Sequence, residues 1–307
     1  MNVQAAPLDV SVVLPTWNRV EYLRATIDSV LGQSVGIREL IIADDGSDPA
    51  ARMVLKEYAA LARVRVLWRE HCGNPGTVRN AAIHAASGKY IAFADSDDVW
   101  HAEKLARQFA ALAGRPECRW SFTSWSCIDA RGLAVASPDI PTRRAPARPL
   151  IESLAIFAVR VPLPSVLAER TLLLEAGLFD ESFGCYADYD LWVRLAAISD
   201  AAALSDPLVA VRLHDRHFSR GAASSTTSGR HRFAGHALRH VRTPRIRSQL
   251  QRMRALDSAR LAGLAALAGD RREMTLRLRS SVEAGWILPR WWFIAVRAYS
   301  RLWGLRP

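Results

Sequence analysis

The chain has 307 residues, half of them hydrophobic, enough to bury one large core or two smaller ones, and an α/β domain with a helical appendage is the expectation. Its four cysteines, Cys72, Cys118, Cys127 and Cys185, are widely spaced without a CxxC pair, so neither a disulfide framework nor a zinc site is implied. The net charge of +11 is uneven: from residue 230 onward 17 arginines face four acidic residues, a local balance of +13 that leaves −2 for residues 1–229.

The first fifteen residues lack the basic start and long apolar stretch of a secretory signal, so export is not expected and the chain reads as cytoplasmic. Val10-Ser11-Val12-Val13-Leu14 is a short β-branched run halted by Pro15, the pattern of a buried first strand, and Thr16-Trp17-Asn18-Arg19 forms the turn after it. Leu23, Ile27, Val30 and Leu31 then recur at helical spacing up to Gly32. The unit repeats at once. Leu40-Ile41-Ile42-Ala43 is a second strand, Asp44-Asp45-Gly46-Ser47-Asp48 its turn, residues 50–61 a second helix, and residues 64–68 a third strand. Two strand–helix units in series predict a parallel sheet with helices on both faces.

Gly73-Asn74-Pro75-Gly76-Thr77 is a glycine-rich turn into a helix that runs through Ala86. It lacks the GxxxxGK[ST] spacing of a Walker loop, and a GxGxxG fingerprint is also missing, which disfavours a nicotinamide cofactor. The strand beginning at Tyr90 ends in Asp95-Ser96-Asp97-Asp98, three carboxylates in four residues. Such a cluster suits a hard divalent cation; an acidic turn that caps the next helix is the plainer reading. Ligands of open parallel sheets lie beyond the carboxyl ends of the strands, where this cluster and Asp44-Asp45 both sit.

Residues 101–112 read as a helix, and residues 120–128 with 133–136 as a hairpin. Residues 138–149, with four prolines and three arginines, read as a surface loop. Short helices are expected at 150–157 and 171–176, a strand at 165–169, a helix with an acidic start at 186–195, and a last strand at 209–214. The small polar stretch 219–229 reads as a linker or as a lid that orders on substrate. Beyond it, Arg, Leu and Ala recur with helical periodicity. The chain ends in Trp286, Trp291, Trp292 and Trp303 interleaved with Arg290, Arg297 and Arg301, without an apolar run of membrane-spanning length.

Six motifs in order, namely Pro15-Thr16-Trp17-Asn18-Arg19, Asp44-Asp45-Gly46-Ser47, Arg79-Asn80, the run from Gly88 through Asp98, Asp188-Tyr189-Asp190-Leu191-Trp192 and Arg212-Leu213-His214, resemble the inverting family 2 glycosyltransferases of the GT-A fold. The resemblance covers residues 9 to about 220. It implies a catalytic domain over 1–220, with a nucleotide-sugar half to about 118 and an acceptor half over 119–220, then a linker or lid at 221–229 and a basic helical region over 230–307. It implies transfer of a sugar from a nucleoside diphosphate sugar, a UDP-sugar by preference, to a hydroxyl of a saccharide or lipid-linked saccharide in cell-surface polysaccharide synthesis, with Mn²⁺ or Mg²⁺ as cofactor.

Residue by residue, the resemblance makes Asp97 the direct metal ligand and His214 the residue that completes the metal or diphosphate site. Asp95 would contact the ribose or a metal-bound water, and Asp98 is either a second ligand or a helix cap. Asp44 would accept the N3 proton of uracil, Pro15 and Thr16 would line the base pocket with backbone groups, and Arg79 would add a cationic contact. Asn18 and Arg19 would cap and orient the first helix, and Trp17, Trp100, Trp125 and Trp192 would be core or wall residues. Asp188 matches the general base that inversion requires. Ala187 departs from the pattern, which commonly has an acidic residue there, and Asp190 is the fallback. No QxxRW-type motif and no spanning helices follow, so a processive synthase is not expected.

The basic, tryptophan-rich ending has the composition of a peripheral membrane helix, which suits a lipid-linked acceptor; a helical cap packed on the catalytic domain is the alternative. Nucleic acid is not an expected partner, because no reader module is present. Two rival functions are a nucleotidyltransferase on a related fold, which would need a glycine-rich basic loop after the first strand, and an inactive nucleotide-sugar-binding protein.

Overall fold

A computed structural model describes residues 7–136, 149–214 and 223–283. The proline-rich stretch 137–148, the start of the expected linker at 215–222 and the tryptophan-rich ending from 284 lie outside the described residues. The described residues form two compact units, one drawn from 7–136, 149–150, 159–181 and 194–214, the other from 151–158, 182–193 and 223–283.

The first unit opens as the sequence predicts: β1 (Leu8–Thr16), α1 (Val20–Leu31), β2 (Ile37–Asp44), α2 (Pro49–Ala59), β3 (Val64–Trp68), α3 (Pro75–Ala85) and β4 (Tyr90–Phe93). Two helix starts are set by local chemistry. The Asp48 carboxylate accepts the Ala51 N–H at 2.9 Å ahead of Pro49, and the Asn74 amide oxygen accepts the Gly76 N–H at 2.9 Å ahead of Pro75, each an N-cap followed by proline in the first turn.

β1 does not stop at Pro15 but continues to Thr16, with Pro15 paired to Ala43 and Thr16 to Asp44. Its neighbour β4 pairs with β1 no further than Val13 and Phe93, and the Val13 carbonyl takes its last bond from the Ala94 N–H. Pro15 has the same parity as Val13, so its missing N–H faces a side where the ladder has ended.

The remaining elements of this unit are β5 (Val99–Trp100), α4 (Lys104–Ala113), β6 (Trp120–Ile128), β7 (Ala134–Val135), β8 (Val166–Glu169), α6 (Arg170–Glu175) and β9 (Ala201–Arg212). The sheet order is β3-β2-β1-β4-β8-β6-β9-β5, with β7 on β6 as the expected hairpin. The first four strands are parallel. β8 then runs antiparallel to both β4 and β6, β9 is parallel to β6, and β5 is antiparallel to β9, so the expected mostly parallel sheet holds for the nucleotide half and gives way to a mixed one. β9 starts eight residues before the expected strand. Its alanine-rich opening and Pro207 argue against a strand locally, but register shifts beside Thr123, Ser124 and Trp125 accommodate the proline opposite β6. Gly88, before β4, allows close approach to β1: a Cβ there would stand 2.6 Å from the Ser11 nitrogen.

The second unit holds α8 (Ala223–His240), α9 (Pro244–Leu267) and α10 (Arg271–Glu283), together with parts of α5 (Leu150–Ala155) and α7 (Ala187–Ile198). Residues 223–229, expected as part of a flexible linker or lid, are the first turns of a helix. Their composition favours neither state strongly, and close packing decides: a Cβ on Gly229 would lie 2.7 Å from the Cys185 carbonyl oxygen. Within the helices the fully buried Asp257 carboxylate takes a two-pronged bond from Arg230, at 2.8 and 2.5 Å. Among the described residues no helix is long and apolar enough to cross a membrane.

One buried charge stands out in the first unit. Lys104 is fully buried, its Nζ 3.9 Å from the centre of the Trp100 ring, donating to Gln108 Oε1 at 2.8 Å; the Gln108 amide in turn donates to Ser121 Oγ and to the Ser165 carbonyl. Burial pulls the ammonium down to about 7, whereas the unfolded chain keeps it near its ordinary value. Between those two values the unfolded state binds the extra proton, so stability rises with pH from about 7 upward, by at most about 1.4 kcal/mol per pH unit. Urea unfolding of the wild type across that window is expected to show the rise, and Lys104→Met is expected to lose it.

Candidate active site

The carboxyl ends of β2, β1 and β4 lie side by side, and the loops that follow them carry most of the predicted site. Asp44 is fully buried, yet its carboxylate receives only long bonds, from the Ser47 N–H at 3.2 and 3.3 Å and from Arg52 Nε at 3.4 Å. Thr16 stands opposite Asp44 in the sheet, and its buried Oγ1 has no hydrogen-bond partner. Buried polar groups are ordinarily satisfied, so a weakly bonded carboxylate beside an orphan hydroxyl describes a place prepared for a polar ligand. Pro15, next to Thr16, lies at the same strand end.

Asp45 has a different task. Its two oxygens accept the Cys72 and Gly73 N–H groups at 2.9 Å each, and His71 Nδ1 lies 3.0 Å away. Burial works to raise this carboxyl, but the two N–H groups and the nearby His71 outweigh it and hold it below the usual range. The bonds draw the 71–73 loop tightly against Gly46, whose φ of +73° and 2.7 Å clearance to the His71 nitrogen leave no room for a side chain. Trp17 is half exposed and stacked on His71 at 4.5 Å between ring centroids, so it is an open aromatic face and not a core residue. Asn18 orients the neighbouring turn: its Oδ1 accepts the Asp48 N–H at 2.7 Å, and its own N–H donates to Ser47 Oγ at 3.0 Å.

The acidic cluster separates into three roles. Asp95 Oδ1 is held by Arg79 Nη2 at 2.7 Å; the guanidinium lies over the Phe179 ring, and its Nε is buried without a partner. Asp97 Oδ2 lies 3.0 Å from His214 Nε2, with both side chains largely shielded from solvent. Asp98 is turned into the protein, where Oδ1 accepts the Arg212 N–H at 2.8 Å and its carbonyl accepts Thr26 Oγ1 at 2.7 Å. Burial, followed by the charges of Asp97 and Asp95, pushes the Asp98 acid well above the usual range. Asp98 is thus a structural anchor.

Arg212 is more than a neighbour of His214. It is nearly buried, with Nε donating to the Asp97 carbonyl at 2.8 Å and Nη1 to the Asp129 and Ala130 carbonyls at 3.1 and 3.3 Å. Its guanidinium also covers the Tyr22 ring, which in turn packs 5.1 Å from the His214 ring. The Arg212-Leu213-His214 motif marks the residue but not this function, which needs the strand order to appear. Glu181 likewise escapes sequence reasoning: it accepts from Asn80 at 2.9 Å and Thr77 at 2.8 Å and clamps its loop to the start of α3, beside Arg79.

Mn²⁺ and Mg²⁺ bind about 2.1 Å from their ligands in octahedral arrays, whose adjacent positions are therefore about 3.0 Å apart. The Asp97–His214 separation of 3.0 Å fits two such positions. Among the described residues no group of three or more acidic, histidine or cysteine side chains converges on a metal position. A divalent ion placed here would take this pair as two of its ligands.

In the second unit, Asp188 lies in the first turn of α7 and is partly exposed, with one oxygen accepting the Tyr189 N–H at 2.9 Å. Asp190, two residues on, is buried against His236, its Oδ1 3.0 Å from Nδ1. The fallback is thereby engaged in packing, and Asp188 is the more open acid of the two.

Residues 11–118 match the Glycosyl transferase family 2 model. The chain is 38% identical over 120 residues to TuaG of Bacillus subtilis, a protein named for teichuronic acid biosynthesis; the match covers 39% of this chain and 47% of TuaG, so the chain spans about half of that relative. It is 28% identical over 196 residues to the Escherichia coli UDP-Glc:alpha-D-GlcNAc-diphosphoundecaprenol beta-1,3-glucosyltransferase WfgD, covering 64% of this chain and 73% of WfgD. Among solved structures, S. aureus TarS in complex with UDP-GlcNAc superposes with a TM-score of 0.65 at 16% identity, covering 89% of this chain and 90% of that one. The mannosyltransferase PcManGT of Pyrobaculum calidifontis, in complex with GDP-Man and Mn²⁺, superposes with a TM-score of 0.58 at 17% identity, covering 99% and 89%. The fold is GT-A, and over residues 11–118 the chain is similar to the family 2 glycosyltransferases.

Proposed function

We propose that this chain is a metal-dependent, inverting and non-processive glycosyltransferase that moves a sugar from a UDP-sugar to a hydroxyl of a saccharide or lipid-linked saccharide in cell-surface polysaccharide synthesis. The observation that carries the reading is the pairing of two prepared half-sites on adjacent strand ends: the poorly satisfied Asp44 with Thr16 on one side, the Asp97–His214 pair on the other. The names of TuaG and WfgD and the ligand bound to TarS support the substrate class, and the Mn²⁺ bound to PcManGT supports the cation.

In this reading Asp44 accepts the N3 proton of uracil, with Pro15 and Thr16 along the base. Arg79 holds Asp95 toward the ribose and adds positive charge beside the nucleotide. Asp97 and His214 hold Mn²⁺ or Mg²⁺, which when bound acts as a Lewis acid toward the departing diphosphate. Asp188 takes the proton of the acceptor hydroxyl as that oxygen attacks the anomeric carbon from the face opposite the diphosphate. A single base acting on the acceptor gives one displacement and hence inversion.

The basic region supplies a surface for the membrane that a lipid-linked acceptor would occupy. Around the turn between α9 and α10, Leu264, Leu267 and Leu276 are exposed, and so are Arg271, Arg272 and Arg279, a mixture suited to acyl chains and anionic headgroups. The chain would then work at the inner face of the membrane.

Incubation with Mn²⁺ and a panel of nucleotide sugars is expected to release UDP, with the opposite anomeric configuration in the product; release of pyrophosphate from a nucleoside triphosphate would point to nucleotidyl transfer instead. Asp97→Asn should abolish Mn²⁺-dependent UDP binding measured by calorimetry, whereas Asp188→Asn should bind UDP normally and lose turnover by about 10²-fold or more. For the membrane surface, the full chain should float with vesicles containing anionic lipid and not with purely zwitterionic ones. Leu267→Asp combined with Leu276→Asp should weaken flotation, and equal behaviour of variant and wild type would sink the assignment.

A further inference from the structure

We infer that His236, on α8, is a positioning residue for catalysis: through Asp190 it sets the rotation of α7 and so the aim of Asp188. The inference rests on the assignment of Asp188 as the base. Asp188 and Asp190 are two residues apart on one helix, about 200° around its axis, so they face opposite sides. A contact that pins Asp190 on the buried side fixes where Asp188 points on the other. Asp190 is 2% exposed, and its Oδ1 lies 3.0 Å from His236 Nδ1. His236 is itself held by Phe183, whose ring meets the imidazole edge-on at 5.3 Å, and Phe183 lies under the Arg232 guanidinium, which donates to the Ser182 carbonyl.

The start of α7 is held by the same helix. Tyr186, immediately before α7, has a φ of 70°, a conformation costly for a residue with a Cβ, and it persists only where packing over-determines it. That packing comes from Phe157 at 5.5 Å and Phe233 at 6.2 Å, while Phe157 also meets Tyr189 at 4.8 Å. Phe233 and His236 are one turn apart on α8. Gly229, a turn before Phe233, lets α8 approach the Cys185 carbonyl. Thus α8 braces residues 182, 183, 185, 186, 189 and 190, on both sides of Asp188.

The test uses the full chain, with UDP and Mn²⁺ as the binding probe and the nucleotide sugar that supports turnover as donor. His236→Leu is expected to keep the UDP affinity and the donor KM while kcat falls by about 10²-fold, the cost of a misplacement of about 1 Å. His236→Asn, whose amide can stand near the position of Nδ1, should recover most of that loss, which mere space-filling would not. In the Asp188→Asn background His236→Leu should slow turnover no further, because it acts through the group already removed. Should His236→Leu fail to fold, His236→Phe keeps the ring shape against Phe183 without the nitrogen and should show the same loss of kcat. Full kcat in a folded His236→Leu or His236→Phe, with Asp188→Asn inactive, would overturn the positioning role alone. Full turnover in Asp188→Asn would overturn the base assignment and the positioning role with it.

Discussion

The bonds from Arg212 to the acidic turn are the constraint on which the approach of Asp97 to His214 depends. Asp97 lies between β4 and β5, and His214 follows β9, the neighbour of β5 in the sheet. Arg212 joins them: its own N–H goes to the Asp98 carboxyl, its Nε to the Asp97 carbonyl, and its Nη1 to the carbonyls after β6. One nearly buried guanidinium therefore binds backbone carbonyls of two separate segments, the acidic turn and the turn after β6. Without it the Asp97 carbonyl would lose this bond, and the 3.0 Å approach of Asp97 to His214 would lose part of its support.

The site also shows how satisfied and unsatisfied carboxylates divide labour. Asp44 and Asp45 are adjacent, as are Asp97 and Asp98, and in each pair one acid is consumed by the fold. Asp45 takes two short N–H bonds that draw in the 71–73 loop, and Asp98 takes the Arg212 N–H in full burial. The other member, Asp44 or Asp97, is left with weak or exchangeable contacts and remains able to serve a ligand. Structural acids of this kind keep two negative side chains from competing for one position, and burial with the charges of Asp97 and Asp95 raises the Asp98 acid. The same logic separates Asp188 from Asp190 in α7, where His236 takes up the second acid.

The α8 helix changes the meaning of the segment after the last strand. Serines, threonines and glycines in a row have weak preferences, so composition reads them as a linker, yet Gly229 is there for close contact and Phe233 and His236 are there to pack on the start of α7. The basic region thus begins with a helix that belongs to the architecture around Asp188. The exposed leucines and arginines lie further on, near the turn between α9 and α10.

Local order was legible in the chain itself. Alternating strand and helix patterns, caps such as Asp48 and Asn74, and the acidic residues after β2 and β4 each report interactions between residues close in sequence, which is why the parallel half of the sheet and its loops could be read directly. Pairings between distant segments were not legible. The mixed sheet beyond β4, the early start of β9 through alanines and Pro207, the exposure of Trp17 on His71, and the hold of Arg212 on the acidic turn all depend on which strands meet and in what register. The motif resemblance pointed to Asp44, Asp97, Asp188 and His214; burial and hydrogen-bond satisfaction, which exist only in the folded chain, set Asp44 and Asp97 apart from Asp45 and Asp98.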